Sequence, residues 1–214
     1  AAASRRFPSY LAPAMTQLPE LPLTLSRQEI RKMIRQRRRA LTPEQQQEMG
    51  QQAATRMMTY PPVVMAHTVA VFLSFDGELD TQPLIEQLWR AGKRVYLPVL
   101  HPFSAGNLLF LNYHPQSELV MNRLKIHEPK LDVRDVLPLS RLDVLITPLV
   151  AFDEYGQRLG MGGGFYDRTL QNWQHYKTQP VGYAHDCQLV EKLPVEEWDI
   201  PLPAVVTPSK VWEW

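Results

Sequence analysis

Asp143-Val-Leu-Ile-Thr147 is the clearest strand signal in this chain of 214 residues. It is short, apolar and β-branched, with no polar residue inside it, which is how a strand buried in a sheet reads. Downstream of it lies Gln157-Arg-Leu-Gly-Met-Gly-Gly-Gly-Phe-Tyr-Asp-Arg168. Phe165 to Trp173 then predicts a helix. A buried strand, a glycine-rich loop and a helix follow one another here. In open α/β sheets that order places a ligand beyond the carboxyl ends of the strands.

Working outward, Thr68-Val-Ala-Val-Phe-Leu73, Arg94-Val-Tyr-Leu-Pro98, Val181-Gly-Tyr-Ala184 and Ala204-Val-Val-Thr207 predict further strands. Ser26 with Glu29, and Thr42-Pro43 with Gln45, are two helix-start signals of the capping-box kind. They predict two helices over 26–58, jointed near Leu41. Asp80 to Ala91 predicts another, closed by Gly92. The region 101–130, rich in Pro, Asn and His, predicts antiparallel strands and loops. Helices alternating with strands argue for an α/β fold, three layers of α/β/α around a mostly parallel sheet. Residues 26–214 are expected to form a single domain. Residues 1–25 carry Pro8, Pro13, Pro19 and Pro22 and are expected to be a flexible or extended N-terminal arm.

Charge is nearly balanced, 23 Lys and Arg against 22 Asp and Glu. Nothing global therefore argues for nucleic acid or an anionic membrane. Cys187, the only cysteine, excludes an internal disulfide framework and a cysteine-built zinc site. That usage suits a reducing compartment, and a cytoplasmic location is the expectation. No apolar run approaches the roughly 20 residues of a membrane-spanning helix.

The glycine stretch is the densest chemical signal. Gly160, Gly162, Gly163 and Gly164 leave backbone N–H groups free to close around an anion. Arg158 adds a positive charge before the loop and Asp167 a carboxylate after it, the pairing that a magnesium-bound polyphosphate needs. A plain tight turn is the alternative. In the first helix Arg27, Arg31, Arg35 and Arg38 share an arc of roughly 80°, beside an apolar seam of Ile30, Met33 and Ile34. Such an edge can reach into a cleft; it can equally be ordinary surface, or a nucleic-acid contact. Arg37, Arg39 and Lys32 are expected to be solvated. Glu78 follows a predicted strand, where a ligand-facing carboxylate would stand, although an acidic turn reads the same way. Asp199 is either a second metal carboxylate or a loop residue. The six histidines show no metal spacing, and no nucleophile elbow or Walker lysine is present.

Together these residues resemble the 5-formyltetrahydrofolate cyclo-ligase family over about Ser26 to Thr207. The likeness rests on the basic helix, Phe72-Leu-Ser-Phe75 with Glu78, Ile126-His-Glu-Pro129, Asp143-Val-Leu-Ile-Thr-Pro-Leu149, the stretch from Phe152 to Arg168, and Leu193-Pro-Val with Asp199. The resemblance implies a fold of the broad isomerase and CoA-transferase type. It also implies an ATP-driven conversion of 5-formyltetrahydrofolate to 5,10-methenyltetrahydrofolate, ADP and phosphate, with Mg2+ as cofactor. By the same resemblance, Arg27, Arg31, Arg158, Tyr166 and the four glycines hold ATP, with Arg31, Arg158 and Tyr166 catalytic. Asp167 and Asp199 hold the metal, and Leu73, Glu78, Met161, Phe165 and Tyr166 meet the folate.

Some positions depart from the family's pattern. Many relatives have Lys where Arg27 stands, some carry basic residues at the positions of Met161 and Gly163, and tyrosine is common at that of Phe165. Two other functions remain open from sequence: a sugar-phosphate isomerase or CoA-transferase relative on the same fold, and a nucleic-acid binder using the basic helix.

Overall fold

The computed structural model describes residues 25–214. Apart from Leu25, the N-terminal arm lies outside the described residues. Both capping boxes form: Ser26 starts α1 (Arg27–Arg39) and Thr42 starts α2 (Pro43–Thr59), each side-chain oxygen accepting from the N3 backbone N–H. Each cap is worth about 1 kcal/mol. A short helix α3 (Pro61–Met65), unforeseen in the sequence, leads into β1 (Thr68–Ala70). Helix α4 (Gln82–Arg90) ends at Gly92, whose φ of 76° only glycine adopts easily.

Next come β2 (Arg94–Leu100), β3 (Leu108–Tyr113), a hairpin of β4 (Leu119–Met121) with β5 (His127–Pro129), and β6 (Val136–Leu137). The 101–130 region is thus antiparallel, as its composition predicts. Then follow β7 (Val144–Thr147), β8 (Ala151–Asp153), β9 (Arg158–Leu159), α5 (Phe165–Leu170), β10 (Gln179–Tyr183), β11 (Leu189–Val190), β12 (Ala204–Val206) and β13 (Val211–Glu213).

Eight strands form one sheet in the order β13-β12-β10-β7-β1-β2-β3-β6. Its five central strands, β12, β10, β7, β1 and β2, run parallel, and both edges are antiparallel. Strand β7 is fully buried along its length, as its unbroken apolar run requires.

Alternate residues of each strand feed two separate cores. On one face Val69, Val95, Val144, Ile146 and Val181 pack against Ala54, Met57, Leu84 and Leu88 of α2 and α4. On the other face Ala70, Leu145 and Val205 pack with Phe152, Leu170 and Trp212. That second layer is built largely from the small sheet β11-β8-β9 and α5. Helix α1 closes it from outside, burying Ile30 and Ile34 against Val150, Ala151, Leu159 and Val190. Each buried isoleucine contributes about 1.5–3 kcal/mol.

Two elements are shorter than expected, and both differences shape the site. Strand β1 stops at Ala70 because the chain turns out of the sheet: the Thr81 hydroxyl donates to the Phe72 carbonyl at 2.6 Å, and Asp76 and Gly77 take left-handed conformations. Helix α5 has six residues and ends before Asn172, which adopts φ 62° and breaks the helical run. A helix that short has little dipole to offer an anion.

Candidate active site

A cavity of about 530 Å3 opens at the carboxyl ends of β1, β2 and β7. Arg27, Arg31, Leu73, Glu78, Arg158, Gly160, Met161, Gly162, Gly163, Gly164, Phe165, Tyr166 and Asp167 all line it. Asp199 is bound to the wall through Arg27. The residues that the resemblance assigned to the site thus line one cavity, except Asp199, which Arg27 holds beside it.

One end of the cavity is charged. The Arg31 Nε donates to the Gly160 carbonyl at 2.7 Å, and Arg27 forms a fork with Asp199 at 2.7 and 2.9 Å. These arginines lie one helical turn apart on α1, so Gly160 and Asp199 are held by neighbouring side chains. Arg158 is buried; its Nε donates to the Pro148 carbonyl at 2.9 Å, its Nη1 stands 3.5 Å from Asp167, and it lies 5.5 Å from the Tyr166 ring centroid. Burial lowers the pKa of Arg158, yet a guanidinium stays charged at any ordinary pH. Burial of Asp199 works against its charge, and the Arg27 hydrogen bonds win, holding it below the usual carboxylate range. Burial raises the phenol of Tyr166, with Arg158 opposing, so Tyr166 is a neutral donor.

The loop itself needs its glycines. Gly162 and Gly164 have φ of 108° and 72°, and a Cβ on Gly164 would stand 2.7 Å from Arg168. Arg168 bonds the carbonyls of Gly163 and Gly106, tying the loop to the 101–107 turn.

The other end is apolar. Phe72, Leu73, Leu97, Leu100, Leu108 and Ile126 line it, with Asn122, His127 and Glu128 of the hairpin. Glu128 accepts from the Leu100 backbone N–H and from the Asn122 amide, both at 3.1 Å, fixing the hairpin over β2. Apart from Leu73, these lining roles are not legible in the sequence. Residues that meet only through distant strand ends leave no local spacing to detect.

Glu78 is 9% exposed, and its Oε1 accepts from the Phe75 N–H at 3.1 Å. Burial pushes its pKa up to about 7, while Arg38 pulls it down in part. Its turn is clamped from beneath. Asp76 meets Arg39 at 2.9 Å and Arg35 and Arg38 at 3.7 Å, and the His185 ring contacts the Gly77 carbonyl at 3.2 Å. Arg35 and Arg38 thus serve the turn, not the cavity. Nor are Arg37 and Arg39 simply solvated: Arg37 is half-buried and donates to the Cys187 carbonyl, and Arg39 binds Asp76.

The profile of the "5-formyltetrahydrofolate cyclo-ligase family" matches residues 24–208. The chain belongs to that family. A 5-formyltetrahydrofolate cyclo-ligase of Haemophilus influenzae is 53% identical, over 84% of this chain and 96% of the relative. One from Mycolicibacterium smegmatis is 31% identical, over 86% and 95%. The NMR structure of the Aquifex aeolicus 5,10-methenyltetrahydrofolate synthetase superposes with a TM-score of 0.75 at 28% identity, covering 87% of this chain and 92% of that one. A Mycoplasma pneumoniae 5,10-methenyltetrahydrofolate synthetase, at 21% identity and TM-score 0.67 over 86% and 99%, shares the fold. Membership in the cyclo-ligase family disfavours the isomerase and nucleic-acid alternatives. Among the described residues no helix is long and apolar enough to cross a membrane.

Proposed function

We propose that this chain joins ATP and 5-formyltetrahydrofolate across the two ends of the cavity, with residues 26–214 acting as one domain in the cytoplasm. The observation that carries the reading is the cavity itself: an end lined by Arg27, Arg31, Arg158 and the glycine loop opens onto an apolar end that holds Glu78. The formyl oxygen, an amide oxygen, attacks the γ-phosphorus, the bond to ADP breaks, and an imidate-like phosphate forms on the formyl carbon. N10 then adds to that carbon and loses its proton. The C–O bond breaks, and phosphate departs with the former formyl oxygen.

The attacking oxygen carries no proton, so the phosphoryl step needs no general base. Alignment and charge stabilisation are what it needs. In this reading Arg27, Arg31, Arg158 and the N–H groups of Gly160 to Gly164 hold the phosphates. Arg158 and Tyr166 point charge and a phenol hydrogen at the transferring group. Leu73, Glu78 and Phe165 face the folate, and Glu78 near neutrality can share a proton with a pterin nitrogen.

Among the described residues no group of three or more His, Cys, Asp or Glu side chains converges on one point. Mg2+ asks for less, since it binds through one or two carboxylates plus substrate phosphates. Asp167 and Asp199 fit that requirement: the Ile200 N–H, next to Asp199, donates to Asp167 at 3.3 Å, so both carboxylates belong to one corner. They would hold the ion, which supplies charge neutralisation for the phosphates.

The test is to mix purified protein, Mg2+, ATP and 5-formyltetrahydrofolate and follow the near-ultraviolet band of the conjugated product. Growth of that band only when ATP is present supports the reading. A flat trace from folded protein would overturn it.

A further inference from the structure

Four large apolar side chains line the cavity while staying well exposed: Phe75 at 40%, Leu124 at 48%, Met161 at 49% and Trp198 at 64%. They divide into two pairs. Phe75 belongs to the Glu78 turn and Leu124 to the tip of the β4–β5 hairpin, both at the apolar end. Met161 and Trp198 belong to the charged end. Met161 follows Gly160, which Arg31 holds, and Trp198 precedes Asp199, which Arg27 holds. Arg27 and Arg31 are one turn apart on α1, about 6 Å along its axis. Met161 and Trp198 thus both line the cavity, each one residue from a group that α1 holds.

The direction of phosphoryl transfer decides what that rim can bind. The γ-phosphorus must lie roughly in line between the formyl oxygen and the oxygen leaving with ADP. With the folate at the apolar end, the remainder of the nucleotide runs the other way, out past Gly160 and Arg27. A flat, uncharged base then arrives where Trp198 and Met161 stand. Trp198 is flanked by the exposed acids Glu196 and Glu197.

Resting on the proposed function, we propose that Trp198 is the platform on which the adenine of ATP stacks, with Met161 as the apolar neighbour completing the base subsite. The assignment moves Met161 from the folate, where the resemblance put it, to the nucleotide. It makes the base, and not only the triphosphate, a source of affinity.

Stacking on one aromatic ring changes affinity by about tenfold or more. The test measures calorimetric dissociation constants for ATP and for inorganic tripolyphosphate, in the presence of Mg2+, on the wild type, Trp198→Ala and Trp198→Phe. Trp198→Ala should weaken ATP about tenfold and tripolyphosphate less than twofold, while Trp198→Phe keeps most of the ATP affinity. The KM for ATP should rise in parallel, and that for 5-formyltetrahydrofolate should stay within twofold.

Equal weakening of ATP and tripolyphosphate would overturn the proposal, making Trp198 a mere support for Asp199. Unchanged ATP affinity in Trp198→Ala, or a selective rise in the folate KM, would also overturn it. Because 64% of Trp198 is exposed, loss of fold does not enter the comparison. The parent reading fails separately: wild-type protein that binds ATP but yields no methenyl product sinks the cyclo-ligase reaction, whereas an active wild type with an indifferent Trp198→Ala sinks only this inference.

Discussion

The charged and apolar ends of the cavity are built by opposite strategies. The charged end comes mainly from one contiguous stretch, Arg158 to Asp167, held by Arg31 of α1, with Asp199 held beside it by Arg27 of the same helix. The apolar end is assembled from four separated segments, the exits of β1 and β2, the start of β3, and the turn and second strand of a hairpin. Phosphate is recognised by backbone and fixed charge, which a short motif can encode. A flat ring system needs a shaped apolar wall, which only tertiary structure can bring together. Helix α1 links the two: Arg31 holds the loop and Arg27 holds Asp199, while Arg35, Arg38 and Arg39 hold Asp76 under the Glu78 turn.

That division can be broken most severely at Asp167. Asp167→Ala should lower kcat about 100-fold or more, with far-ultraviolet dichroism unchanged, because little beyond Arg158 and one backbone N–H depends on it. A folded variant with near-normal turnover would remove Asp167 from the metal corner. Arg31→Ala comes next. Losing a charged hydrogen-bond donor at the loop should raise the KM for ATP about 10- to 100-fold, and the folate KM much less. Equal rises in both would mean that α1 does not distinguish the two ends.

Glu78→Gln should have the mirror effect, raising the folate KM about tenfold with a small change for ATP. It also carries a pH signature. Burial raises the folded-state pKa of Glu78 from 4.5 to about 7, so the native protein binds the extra proton in that window. Stability is therefore lost as pH rises from about 4.5 through 7, and Glu78→Gln should relieve about 3 kcal/mol of that loss at pH 8 and none at pH 4. His185 works in the opposite sense. Burial depresses its pKa from 6.5 to about 4, so its contribution is lost as pH falls through that range. Denaturant titrations of Glu78→Gln at several pH values separate the two, and a variant whose stability curve parallels the wild type would contradict the buried, near-neutral carboxyl.

The smallest effect belongs to Asp76→Asn. Releasing three arginines from the turn should raise the folate KM about threefold, about 0.6 kcal/mol, and leave that for ATP within error. A change confined to ATP would show that the clamp serves the other end.

The same contrast explains what was legible in the sequence. The strands Val144–Thr147 and Arg94–Leu100, both capping boxes and the stop at Gly92 were readable because each depends on neighbours within a few residues. The charged end was readable for the same reason. Strand β1 was read too long because Phe72 and Leu73 look like strand but leave the sheet to line a cavity, held there by Thr81. Helix α5 was read too long because Asn172 in a left-handed conformation is invisible to periodicity. Leu97, Leu108 and Ile126 look like ordinary core. Trp198 left one faint signal, a lone aromatic among Pro194, Glu196 and Glu197 beside a candidate metal carboxylate.

The two ends meet at a single atom, the formyl oxygen, and that atom offers the most direct test. Substrate carrying 18O in the formyl group should be turned over with unlabelled ATP in unlabelled water, and the released inorganic phosphate analysed by mass. One 18O per phosphate is the predicted result, because the oxygen that attacks phosphorus leaves with it. Unlabelled phosphate would contradict the account, since ATP would then be cleaved by water and the cavity's two ends would not share a reacting atom.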